Sequence, residues 1–485
     1  MRCKITIADE VNVKIHNLPV DVRRKIANKL KFQVPYARYL PQYKLGRWDG
    51  KVGFFGLGGN GFVNHLDVII NLLHQNGVEI DEVEDQREKV DLAFTTVDKD
   101  YLKDKVWPKG HVAEGQNIEL RDYQVEVINN FLKTPQSLQE VATGAGKTII
   151  TACLSKICEP LGRTLVIVPN KGLVTQTEDD YKIVGLDVGV YFGDRKELNK
   201  THTICTWQSL NVLDKKTKDG EAKVTLTDFL QGVKTVIIDE VHQAKAEVLK
   251  KLLTQHLNHA PIRWGLTGTI PKDEHEAVGC VCSLGPVIGN LSSKELQEKG
   301  VLANLDINII QLQDGVLGFN NYAQELKWLV TDKDRIEEIS SIITSISGSG
   351  NTLVLIDRIA TGQILSDMFP EWVFISGDMK VADRQKEYRE VSEMDNKVIV
   401  ATYGVAAVGI NIPRIFNLVL LEPGKSFVRV IQSIGRGIRK AEDKDYLNVI
   451  DITSNLKYSK RHLTKRKAFY KEQGFPFQVT KLEYK

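Results

Sequence analysis

The chain has 485 residues, 42% of them hydrophobic and 26% charged, and its 65 Lys and Arg against 62 Asp and Glu leave a net charge of only +3. Such a length suggests about three domains with separate cores, and so small a net charge means that any nucleic-acid partner must be held by local basic patches. No apolar run reaches the ~18–20 residues that span a bilayer, and MRCKITIADE lacks a signal-peptide core, so a cytoplasmic protein is expected.

Residues 1–105 read as a small α+β unit. CKITIADEVNVKI alternates like a strand pair or one bent strand, and VDVRRKIANKLKF has the spacing of an amphipathic helix. An aromatic and basic run follows, with Tyr36, Arg38, Tyr39, Tyr43, Lys44, Arg47, Trp48 and Lys51, and its Asp49-Gly50 step predicts a hairpin turn. HLDVIINLLHQNG predicts a helix ended by Gly77, and residues 106–115, with Pro108, Gly110 and Gly115, read as a linker. From 116 to 305, apolar runs such as TLVIVP, HTICTWQ, TVIIDE and RWGLTGT alternate with helical stretches, with KKTKDGEAK (215–223) as an exposed loop. The pattern restarts over 306–455 with INIIQL, NTLVLID, WVFISG, KVIVAT and LVLLE. Two parallel sheets in series, each covered by crossover helices, are predicted. Residues 456–485 remain as a basic tail. Between 457 and 485 it carries nine Lys and Arg against two Glu. The six cysteines are scattered without metal-ligand spacing and read as reduced thiols.

The chemistry sits in five short segments: ATGAGKT (142–148), DEVH (239–242), TGT (267–269), VATYGVAAVGINIP (400–413) and QSIGRGIRK (432–440). In ATGAGKT (142–148), the loop Thr143-Gly144-Ala145-Gly146 can wrap phosphate oxygens with its amides. Lys147 can reach the β- and γ-phosphates, and the Thr148 hydroxyl suits Mg2+. In TVIIDEVH, Asp239 is the second candidate Mg2+ ligand, Glu240 the candidate base for an attacking water, and His242 a coupling residue. TGT contributes Thr267 and Thr269. In QSIGRGIRK, Gln432, Arg436 and Arg439 fall on one helical face. Arginines there can neutralise a γ-phosphoryl transition state, a contribution of about 10³–10⁵ in rate. Arginines placed so far downstream of the phosphate loop predict two domains acting on one ATP.

Taken together, these segments resemble superfamily 2 helicases, and among them the phage branch-migrating helicases of the UvsW type and the related XPB-like ATPases. Val141 stands where the general phosphate loop has glycine, which suits the helicase form A-x-x-G-x-G-K-[ST]. The resemblance implies two tandem RecA-like parallel-sheet lobes behind a small N-terminal α+β domain, with ATP and Mg2+ bound. It implies that Arg121 and Gln124 in LRDYQ read adenine, that Thr267 and Thr269 link ATP state to lobe movement, and that Gly409 opens a loop near ATP. It implies nucleic-acid contacts at Pro169, Asn170, Trp207, Gln208, Ser376, Gly377, Thr402 and Tyr403. In the N-terminal domain it points to Arg47 and Trp48.

The expected activity is ATP-dependent unwinding or branch migration of forked and junction DNA in replication, recombination or repair. A double-strand translocase, an RNA helicase and an ATP-gated binding scaffold are the alternatives. The expected partner is DNA (forks, junctions, duplex with single-stranded tails) and not a membrane. The oligomeric state stays open, a monomer included.

Overall fold

The computed structural model describes residues 1–109, 113–241, 246–316, 318–377, 379, 381–409, 414–424 and 444–484. They divide into two compact units: Met1–Val141 with Gly146–Leu291, and Ser292–Lys485 with Ala142–Ala145.

In the first unit, β1 (Arg2–Ile7) and β2 (Asn12–His16) form an antiparallel hairpin, because Asp9 accepts the amides of Val11 and Asn12 and turns the chain. After α1 (Val20–Lys29), β3 (Lys31–Gln33) pairs with β4 (Lys51–Gly53). The hairpin therefore encloses residues 34–50, which include the short helix α2 (Pro41–Lys44). Asp49-Gly50 ends this excursion and is not the expected two-residue turn. Then β5 (Asn60–Phe62), α3 (Leu66–Gln75) and β6 (Glu79–Asp85) complete a four-stranded sheet, ordered β5-β2-β1-β6. Its core includes Ile5, Ile15, Ile26 and Leu73, each fully buried.

This sheet belongs to the same compact unit as the eight-stranded one that follows. Asn258 donates to Asp9 at 2.6 Å, Asn12 donates to the Thr254 carbonyl at 3.0 Å, and Asn64 donates to Gln136 at 2.7 Å. The Lys250 ammonium lies over the Phe54 ring at 4.2 Å.

The larger sheet of the first unit contains β7 (Gln136–Val141), β8 (Arg163–Val168), β9 (Val188–Phe192), β10 (Arg195–Lys196), β11 (His202–Thr206), β12 (Val233–Asp239), β13 (Ile262–Thr267) and β14 (Val287–Leu291). Their order is β10-β9-β11-β8-β12-β13-β7-β14, parallel throughout except at β10. Buried helices cover it, among them α4 (Asp122–Lys133), α5 (Lys147–Cys158), α6 (Lys171–Ile183) and α7 (Trp207–Lys218). Because α7 runs to Lys218, the first four residues of the expected loop 215–223 are helical.

The second unit holds an all-parallel sheet of β15 (Asn304–Leu312), β16 (Thr352–Ile356), β17 (Val373–Ile375), β18 (Val398–Thr402), β19 (Asn417–Leu421), β20 (Tyr446–Ser454) and β21 (Phe477–Leu482). Its order is β17-β18-β16-β19-β20-β15-β21. The segment read as a basic tail is thus a helix, Lys457–Glu472, and an edge strand of this sheet. Arg466 on that helix is buried and forks onto Asp451 at 2.8 and 2.9 Å, with the Tyr470 hydroxyl on the same carboxylate. Among the described residues no helix is long and apolar enough to cross a membrane. All six cysteines are free thiols, and burial pushes Cys153 and Cys158 up to about 12.

Candidate ATP site and nucleic-acid groove

The carboxyl ends of β7, β12 and β13 lie side by side at one edge of the first large sheet. In open parallel sheets that edge is where ligands bind. The loop after β7 needs backbone that only glycine adopts freely: Gly144 has φ +93° and Gly146 φ +79°. Gly146 caps α5, so the amides of the first turn and the positive end of the helix dipole face the loop. A Cβ on Gly146 would lie 2.6 Å from Gln124 Nε2, so the glycine also lets the LRDYQ segment approach the loop. Gln124 is itself positioned by accepting the Arg121 amide at 3.0 Å, while Arg121 Nη1 donates to the Tyr123 hydroxyl at 2.9 Å.

Three motifs converge on one carboxylate. Lys147 Nζ donates to Glu240 Oε1 at 2.5 Å, and the Gly268 amide donates to Glu240 Oε2 at 3.3 Å. The two charged side chains are 9% and 10% exposed, so little solvent screens the pair. Glu240 has φ +53°, a left-handed conformation that costs a non-glycine residue roughly 1–2 kcal/mol. Its amide is held by Asp239 Oδ1 at 2.9 Å. Burial pushes the Asp239 carboxyl up to about 6, with Lys147 pulling it down and Glu240 pushing it up. Thr267 is buried at the end of β13 and donates to the Thr269 carbonyl at 2.8 Å. Thr143, Ala145 and Thr148 lie in or beside the loop, with Ala145 buried and the other two half-buried. These groups fit a triphosphate and a divalent cation: a glycine cradle at a helix start, an ammonium, a hydroxyl and a carboxyl that a cation would return to its charged form.

A second feature of the same unit is a cavity of about 390 Å³ lined by Pro169, Asn170, Gln208, Lys171, Lys196 and Lys216, among others. Asn170 caps α6 by accepting the Leu173 amide, and Gln208 donates to the Pro169 carbonyl at 3.1 Å, tying two of the expected contact motifs together. The three lysines escaped the sequence reading, since nothing in their spacing sets them apart from other surface cations.

Other expected contacts fall differently. Trp207 is half-buried, with part of its surface packed against the core of the first large sheet. Tyr403 is 3% exposed and its hydroxyl donates inward to the Leu421 carbonyl, so the side chain cannot touch a strand. Thr402 accepts the Val405 amide at 3.3 Å at the start of the helix Tyr403–Gly409, of which Gly409 is the last residue. Ser376 is half-buried and Gly377 exposed after β17. Arg47 is exposed, whereas Trp48 is half-buried and donates to the Lys51 carbonyl at 2.8 Å. His242, Gln432, Arg436 and Arg439 lie outside the described residues.

Residues 117–272 match the family model of the res subunit of type III restriction enzymes, and residues 334–441 match that of the helicase conserved C-terminal domain. In that order they identify the chain as a superfamily 2 helicase. Within that class it is similar to the UvsW and XPB proteins. The ATP-dependent DNA helicase uvsW of Enterobacteria phage T4 is 22% identical over 488 residues, covering 91% of this chain and 90% of that one. The DNA 3'-5' translocase XPB2 of Sulfurisphaera tokodaii is 30% identical over 183 residues, 38% of each chain. Among solved structures, a fragment of a putative HsdR subunit of a type I restriction enzyme from Vibrio vulnificus shares the fold, with TM-score 0.56, 18% identity and coverage of 97% and 85%.

Proposed function

We propose that the protein is an ATP-dependent DNA helicase or translocase that unwinds or branch-migrates forked and junction DNA. The observation that carries this reading is the convergence of Lys147, Glu240 and Gly268 beside the glycine loop. A scaffold that only binds nucleotide has no need of a base held against the phosphate lysine. ATP would draw Lys147 from Glu240 to the β- and γ-phosphates, freeing that carboxylate to orient and deprotonate the attacking water. Mg2+, held by Thr148 and Asp239, would neutralise phosphate charge. Gln124 and Arg121 would read the adenine edge. Arg436, Arg439 and Gln432 would complete the site from the second lobe, a role carried by their sequence motif alone.

On this reading the lysine-lined cavity holds the phosphates of one strand, and the N-terminal domain recognises the branched substrate. The supporting experiment is displacement of a labelled strand from a fork and a four-way junction. Release that requires hydrolysable ATP is expected. Displacement of a third strand from duplex, without separation of the two duplex strands, would make the protein a double-strand translocase. Displacement from RNA alone would overturn the choice of DNA.

A further inference from the structure

Leucine side chains are usually drawn into a core and tyrosines at least partly so, yet the excursion enclosed by the β3–β4 hairpin exposes several together. Tyr39 is 64% exposed, Leu45 63% and Tyr43 41%. The local core is built from other aromatics: Phe32 packs on Phe54 at 5.7 Å and Phe54 on Phe62 at 6.2 Å between ring centroids. That core leaves Tyr39 and Tyr43 largely outside it, Tyr43 with only a ring edge near Gly50.

The excursion is nonetheless a built element. The Val34 amide donates to the Gly50 carbonyl at 2.9 Å, and Gln33 Nε2 donates to the same oxygen at 3.0 Å. Gly50 has φ +77°, and a Cβ there would meet Gln33, Tyr43 and Ala37 at about 3 Å. Tyr36, the remaining tyrosine of the run, leans edge-on to His275 with ring centroids 6.3 Å apart. The protrusion is thereby braced against the helix Glu274–Leu284.

Charge selects the partner. Residues 36–48 carry Arg38, Lys44 and Arg47 and no acidic side chain. The Arg38 guanidinium lies 4.8 Å above the Tyr39 ring. Alternating aromatic rings and fixed cations match a single strand, whose bases stack on rings while its phosphates meet the cations.

We propose that the 34–50 protrusion is a stacking platform for unpaired bases, with Tyr39 and Tyr43 taking the bases and Arg38, Lys44 and Arg47 the flanking phosphates. This inference rests on the reading of the chain as a DNA motor and says which part of a branched substrate the N-terminal domain engages. Binding of the full-length protein to a fluorescent single strand, and to a strand of equal length made of abasic residues, tests it.

The double variant Tyr39→Ala/Tyr43→Ala, which removes two stacking contacts, should lose roughly 30-fold or more in affinity for the base-bearing strand. Its affinity for the abasic strand should be unchanged, and Tyr39→Phe/Tyr43→Phe should restore the preference. The variant Arg38→Gln/Lys44→Gln/Arg47→Gln should weaken both strands alike and flatten the salt dependence. Equal affinity of wild type and the alanine variant for the base-bearing strand would overturn the platform and leave the face to a protein partner. If the wild type bound neither strand nor any fork, the DNA reading itself would fall.

Discussion

Glu240→Gln separates the two roles assigned to one carboxylate. In the wild type, Lys147 can reach a phosphate only by giving up a charge-assisted hydrogen bond to Glu240 of 2.5 Å. A hydrogen bond between two charged groups is stronger than one from the same ammonium to a neutral amide oxygen, by on the order of 1 kcal/mol. Glutamine therefore lowers the cost of moving Lys147 by about 1 kcal/mol, and ATP should bind about fivefold more tightly. Loss of the base should at the same time cut turnover by about 10²–10⁴. Equilibrium titration with a fluorescent ATP analogue and steady-state ATPase measurements read the two effects separately. Turnover within threefold of wild type, or weakened nucleotide binding, would refute the assignment of Glu240.

Other variants probe the frame around this site. Gly146→Ala forces a side chain into a left-handed backbone and against Gln124; ATP binding should be lost while the thermal midpoint shifts little, as scanning calorimetry with and without nucleotide would show. Arg466→Ala leaves the buried Asp451 carboxylate without its forked partner; a loss of about 3–5 kcal/mol in urea unfolding is expected, whereas Lys465→Ala on the exposed side of the same helix should change little. Glu422 is pushed up to about 7 by burial, with Arg335 pulling the other way. An acid whose folded pKa lies above its unfolded value destabilises the fold as it ionises, so this group's contribution falls as pH rises from about 4.5 to 7. Glu422→Gln, which can keep the hydrogen bond from Arg335, should gain stability relative to wild type between pH 5 and pH 8; a pH-independent difference in urea midpoint would contradict this.

The strands that form the centres of both sheets were legible because parallel strands buried on two faces read as continuous apolar runs, as TVIID does. β7 was not, although it leads into the phosphate loop. Its sequence, QSLQEV, is polar, and its burial rests on bonds from Ser137 to the Thr134 carbonyl and from Gln139 to the Val127 carbonyl. Those partners become visible only once the chain is folded. The C-terminal helix shows a different limit. Its nine-cation segment suggested a tail, yet Leu463, Arg466 and Tyr470 recur at helical spacing on the buried face. That periodicity was available and the count of cations hid it. In the candidate site, motif order placed Lys147 beside Glu240 across 93 positions. It could not supply the Gly268 amide, the inward turn of Tyr403 or the three lysines of the cavity, which depend on backbone paths between motifs.

The most direct test of the central claim is steady-state ATP hydrolysis by wild type and Lys147→Ala, alone and with single-stranded DNA, a fork, a four-way junction or RNA. The account predicts strong stimulation by branched DNA in the wild type and none in the variant. Turnover that no polymer stimulates, or that survives loss of Lys147, would contradict it.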